Sequence, residues 1–254
     1  MPADAWPATL AGFALVLARV GALAVFVPWP GIGQTPPLAK AAFALVTTLL
    51  LAPAWPRPAL TGEPAGAFLV WLGLEAGLGI TTGLVLAIVS DCFGMAGQLL
   101  GLQAGFSYAS SIDPTTQADT TVIPMLTQLL TSLLFFSLGL DRQLLALLAS
   151  SLATCPPAAC IPAGSLAAVT KLMGIALSVG VRLALPLVAL MVATDLSLAL
   201  LGRFSPQFQL LSAAFPLKIA LAVFFLALLL PGLTPAYGAL AAQALDLLSR
   251  VWKP

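Results

Sequence analysis

Histidine is missing from this sequence, and charge is scarce: 10 Lys and Arg stand against 9 Asp and Glu, 7% of 254 residues. The first absence excludes His-based triads, His-ligated haem, His-containing zinc sites and His proton relays. The second excludes a water-soluble globule, which carries about 25% charged residues. With 60% apolar residues and a mean hydropathy of +1.07, the chain reads as an integral membrane protein. A net charge of +1 without a basic run argues against nucleic acid. Only three cysteines occur, Cys92, Cys155 and Cys160. A metal site takes about four ligands, and nothing near Cys155 and Cys160 completes one. They read as small buried or loop thiols, or as a disulfide if their loop is extracytoplasmic.

What is present is a series of apolar runs, at roughly 8–28, 38–53, 68–90, 122–140, 166–201 and 208–231, with shorter stretches near 94–106, 143–154 and 236–252. Spanning a bilayer by helix takes about 20 apolar residues, and backbone satisfaction forbids open strands there. The expected fold is therefore an all-α membrane protein, in one domain over residues 1–254, since no polar linker divides it. The run at 38–53 is short for a span. The run at 166–201 is long and carries Pro186, which is expected to kink it. The start, MPADAWPATL, lacks the positive region of a signal peptide, so the first run is expected to be a retained membrane segment. Breaks fall at Pro28–Pro37, Ala52–Pro58 and Cys155–Gly164. Gly202 followed by Ser205-Pro206 predicts a helix stop, then a cap and a proline at the next helix start. Basic residues divide almost evenly between the two sides, so the positive-inside rule gives no orientation.

Five charges fall in or beside apolar runs: Arg19, Glu75, Arg182, Asp195 and Lys218. Each is expensive at bilayer depth and faces protein or water. They read as snorkelling side chains or structural ion pairs, as pairs across contacts with partner subunits, or as an ion relay. Gly97, Gly101 and Gly105 line one helix face, and Gly73 with Gly77 and Gly79 with Gly83 repeat the spacing, a pattern that admits a close neighbouring helix. A polar island, Phe106 to Thr121, follows the glycine face. With Asp113-Pro114 it turns sharply and does not cross lipid alone. It is either an exposed loop or irregular backbone enclosed in a water-filled lumen.

The stretch GQLLGLQAGFSYASSIDP, Gly97 to Pro114, closely resembles the central signature of the FliR family of flagellar type III export proteins. Arg19, Pro28, Pro36 or Pro37 and Lys40 resemble the family's N-terminal block. Asp195 to Ile219 resembles its later block through Arg203, Pro206, Gln207, Phe215, Pro216, Leu217 and Lys218. Two positions depart: Leu140 follows Gly139 where the family shows His, and Ala214 stands where it shows Gly. The SctT family of virulence secretion systems is similar throughout. The resemblance implies kinked helical hairpins packed in a spiral multi-subunit export-gate complex. It implies partners of the FliP and FliQ kinds, with FliB-type or FlhB-like and FlhA-like membrane components beside them. It also implies the bacterial inner membrane and the flagellar basal body as location, and unfolded flagellar proteins as cargo. The loop after the glycine face acts in the family as a pore plug, which places one here at Phe106, Ser107, Tyr108, Ser110, Ser111, Ile112, Asp113 and Pro114. Gly97, Gly101, Gly105, Arg19, Glu75, Arg203, Pro206, Gln207, Phe215, Pro216 and Lys218 are the expected packing and subunit-contact residues. No cofactor, metal or nucleotide loop of the GxxxxGK[ST] kind is expected.

Two other readings compete. Pro186, broken helices and buried charges suit a small-solute transporter, although inverted symmetry is not visible. An intramembrane enzyme fails on inventory, for want of His, GxSxG or clustered carboxylates.

Overall fold

In a computed structural model the described residues are 5–27, 36–56, 65–104, 122–155, 165–204 and 210–251. Every regular element among them is helical: α1 Ala5–Ala24, α2 Pro37–Leu50, a 3-10 turn Ala52–Ala54, α3 Ala65–Gln103, α4 Val122–Ser137, α5 Leu140–Thr154, α6 Ser165–Phe204 and α7 Leu210–Val251. This is the all-α architecture that the apolar runs required.

Three helices are long and apolar enough to cross a membrane: Pro7–Ala24, Gly66–Gln103 and Ala167–Phe204. Two bent pairs, around 137–140 and 228–230, bring the total to as many as five among the described residues. The first bend has a local cause. Gly139 adopts φ 65°, ψ 28°, a left-handed conformation that strains any side chain, and its N–H donates to the Phe136 carbonyl at 3.0 Å. In the second, Pro231 lacks the N–H that would bond the carbonyl four residues back.

Two sequence expectations need correction. The stretch at 68–90 and the first part of that at 94–106 are one continuous helix, α3, which runs through Asp91 and Cys92 to Gln103. Likewise the stretch at 236–252, as far as Val251, continues α7 with Pro216, Pro231 and Pro235 inside it. α6 ends at Phe204, beside the stop expected at Gly202 and Ser205-Pro206; Ser205 and Pro206 lie outside the described residues. The short run at 38–53 is the 14-residue α2, opened by Pro37 at its first turn.

The helices form two compact units, each discontinuous in sequence. One draws on Met1–Val89, Phe135–Met173 and Leu240–Pro254, the other on Ser90–Leu134 and Gly174–Ala239. In the first, α1 is the central element. Leu15, Val16, Val20 and Leu23 have no exposed surface. The turn after α2 packs on α1: the Phe13 and Trp55 rings meet edge to face at 5.3 Å, and Trp55 Nε1 donates to the Thr48 carbonyl at 2.9 Å. In the second unit, Leu100, Ala104, Leu187, Met191, Ala222 and Leu226 form the core.

Candidate functional site

The most polar point of the first unit is a buried hub at Arg19, which is 2% exposed. Its Nε donates to Glu75 Oε2 at 2.6 Å, its Nη1 to Ser151 Oγ at 2.9 Å and its Nη2 to the Cys155 carbonyl at 3.1 Å. One guanidinium thereby ties α1 to α3, to α5 and to the residue that ends α5. Only the planar fork of an arginine offers donors in three such directions; a lysine ammonium is a single point. Glu75 is equally buried, so the two charges compensate each other.

The glycines explain how Glu75 reaches Arg19. A Cβ at Gly79, one turn beyond Glu75, would sit 2.1 Å from the Arg19 carbonyl oxygen; one at Gly83 would sit 2.9 Å from the Leu23 carbonyl. Glycine at both positions lets α3 lie backbone to backbone on α1. Gly73 and Gly77, elsewhere on α3, have nothing among the described residues within 4 Å of such a Cβ. Cys155 is fully buried beside Leu78 and Leu147 and is disulfide-bonded. Of the two readings of this cysteine, the bridge is therefore the one the structure takes; Cys160 lies outside the described residues. Cys92 is a free, buried thiol.

In the second unit, Gly97 faces α4: a Cβ there would stand 2.1 Å from Thr127 Oγ1. Beside it lies a small apolar pocket, lined by Phe93, Leu100, Leu130, Leu134, Leu187 and Leu226 with Thr127 and Thr131 at its wall. Thr131 donates its hydroxyl to the Thr127 carbonyl at 2.7 Å. Ser90 Oγ and the Tyr237 hydroxyl lie 3.2 Å apart, and Phe93 packs on the Tyr237 ring at 5.1 Å. Asp195 pairs with Lys218, at the partly exposed surface.

Of the residues singled out by the sequence, then, Arg19 and Glu75 meet each other inside the chain, as do Asp195 and Lys218. Gly101 is buried in α3, Arg203 is exposed in the last turn of α6, and Pro216 is exposed on α7. Phe215 lies in α7. Gly105, the whole plug stretch Phe106–Thr121, Pro206 and Gln207 lie outside the described residues. Sequence reasoning missed Ser151 and the Cys155 carbonyl, because hydroxyls and backbone groups carry no spacing signal. No group of three or more Cys, Asp or Glu able to hold a metal occurs among the described residues.

A paired charge hub inside apolar helices holds those helices together. The profile of "Bacterial export proteins, family 1" matches residues 10–244. The chain belongs to this export family. As a family 1 export protein it is 29% identical to the flagellar biosynthetic protein FliR of Caulobacter vibrioides over 240 residues, 92% of this chain and 94% of that one. It is 31% identical to the FliR of Pectobacterium carotovorum over 215 residues, 84% and 81% of the two chains. It is also similar to the Yop proteins translocation protein T of Yersinia pestis, 30% identical over 173 residues, 65% and 66% of the two chains. The resemblance read in the three blocks from Arg19 to Ile219 thus holds along nearly the whole sequence, and the export protein is a type III export component.

Proposed function

We propose that this chain is the FliR-type subunit of a flagellar type III export gate, which forms with FliP-like and FliQ-like subunits the channel for unfolded flagellar proteins through the bacterial inner membrane. The observation that carries this is the outer face of α6. At 1.5 Å per residue its 40 residues extend about 60 Å. A hydrocarbon layer of about 30 Å accommodates about 39 Å of helix even at a 40° tilt. Yet Met173, Leu177, Leu185, Leu196 and Leu200 are exposed along most of its length, and only 28% of Ala167–Phe204 is buried. Roughly 20 Å of apolar helix therefore extends beyond the lipid. Neighbouring subunits are what would cover it, and a transporter working alone has none.

In this reading residues 1–254 act as a single domain without catalytic activity, in the basal body, alongside FlhB-like and FlhA-like components. The polar segment Phe106–Thr121 is the plug, with Phe106, Tyr108 and Ile112 as its apolar seals. Gly97, Gly101 and Gly105 seat the helix that leads into it, and Arg203, Pro206, Gln207, Phe215, Pro216 and Lys218 shape the subunit boundary. Arg19 and Glu75 act from within, by fixing α1 on α3. The test is a deletion of residues 107–118 in cells that make the complete gate. Ion leakage through the closed complex is expected to rise; an unchanged leak refutes the plug. Similarity to the Yersinia translocation protein T favours a second reading, a subunit of a virulence injectisome. Rescue of motility, or of effector secretion, in strains lacking the corresponding subunit decides between them.

A further inference from the structure

Besides Arg203 in the last turn of α6, two further charges lie on the outer surface of the second unit. Arg182, near the middle of α6, and Asp91, in the second half of α3, are both exposed and have no ionic partner among the described residues. They flank a point where the two helices touch: a Cβ at Gly180 would lie 2.8 Å from the Cys92 carbonyl oxygen. Around them the α6 surface is apolar, with Leu177 52% and Leu185 57% exposed.

This combination does not suit lipid alone. A membrane centred on α6 puts the guanidinium in hydrocarbon, where ionised groups are costly and are met by protein or water. A membrane shifted toward either end brings Arg182 to its edge and leaves the apolar face of the other half in water. A protein surface removes both difficulties when it is apolar and carries a carboxylate opposite Arg182 and a cation opposite Asp91. We propose that Arg182 and Asp91 are the charged anchors of an intersubunit contact, docking an apolar helix of another gate subunit that bears the complementary charges. The proposal rests on the export-gate reading and specifies one surface for it. Complementary charge fixes the register of the contact, and a like charge at either anchor repels the docked helix.

The experiment co-expresses the full chain with its cognate FliP-like and FliQ-like subunits and measures the complex recovered through a tag on this chain. Arg182→Glu and Asp91→Lys are each expected to lower recovery about tenfold or more, while Arg182→Lys stays near wild type. A photo-crosslinking residue at Leu185, in an otherwise unchanged chain, is expected to join a gate subunit. Normal recovery of both reversal variants overturns the proposal, as does crosslinking only to lipid or to a second copy of this chain. Should a reversal variant fail to accumulate, the Leu185 crosslink decides alone. If the wild-type chain itself recovers no gate subunit, it is the export-gate reading that falls.

Discussion

Removing one partner of the Arg19 hub exposes its energetics. Arg19→Ala leaves the Glu75 carboxylate enclosed, 2% exposed, with no cation beside it. It also removes the donors that Arg19 supplies to Ser151 Oγ and to the Cys155 carbonyl, at 2.9 and 3.1 Å, while Ser151 Oγ keeps its bond to the Leu148 carbonyl. Losing one member of a buried ion pair costs about 3–5 kcal/mol. The middle of that range is about a 10³-fold change in a folding equilibrium. Glu75→Ala should fall in the same range, because it leaves a bare guanidinium. The double variant Arg19→Met with Glu75→Leu removes both desolvation penalties and fills the volume with apolar atoms, so it should regain most of the loss. Arg19→Lys keeps the charge but loses the fork. It should fall between wild type and Arg19→Ala, because hydrogen bonds to a charged donor contribute about 1.5–3 kcal/mol each. The assay is detergent-to-SDS unfolding of the purified chain, followed by tryptophan fluorescence, across the four variants. Single variants within about 1 kcal/mol of wild type, or a double variant no better than the worse single one, would refute the account of the hub as a buried, mutually compensating pair.

Two further outcomes follow from close approaches and covalent chemistry. Gly79→Ala should destabilise markedly, since its methyl carbon would stand 2.1 Å from the Arg19 carbonyl oxygen. Gly77→Ala, with open space around it, should stabilise by roughly 0.5–1 kcal/mol through helix propensity; melting temperatures that move the same way for both would contradict this assignment of faces. The cysteines predict a thiol count: alkylation of denatured, unreduced protein should tag one of the three, Cys92, and reduction should release the other two. Three tags before reduction would show that no bridge forms.

Much of the helical layout was legible because lipid leaves a chain so few options. Long apolar runs must be helices, and the Pro/Gly clusters must separate them. The abbreviated α2 followed from the same constraint, whereas the pairing of Arg19 with Glu75 and of Asp195 with Lys218 was one of several readings it left open. Other features needed three dimensions. Asp91 and Cys92 looked like an interruption, but two polar residues do not end a helix whose backbone bonds are otherwise complete. Gly73/Gly77 and Gly79/Gly83 have identical spacing, yet among the described residues only the second pair meets a neighbour. A spacing pattern gives a stripe and does not say which stripe is covered. Arg19 finds Glu75 across 56 positions and Ser151 across 132, separations over which local pattern has no reach. Whether Cys155 is bridged depends on the redox state of its compartment as much as on its neighbours.

The interleaving of the first unit bears on how the molecule is made. Leu240, Ala241, Ala244 and Leu248 are all buried at the end of α7, in the same unit as α1. During translation α1 leaves the ribosome more than two hundred residues before these side chains do. Until they arrive, the part of the first unit that they cover must be sheltered by the insertion machinery or by lipid. Maturation of this subunit is therefore a late, post-translational closure, and a fragment stopping short of residue 240 should be handed to quality-control proteases before it meets an assembling gate.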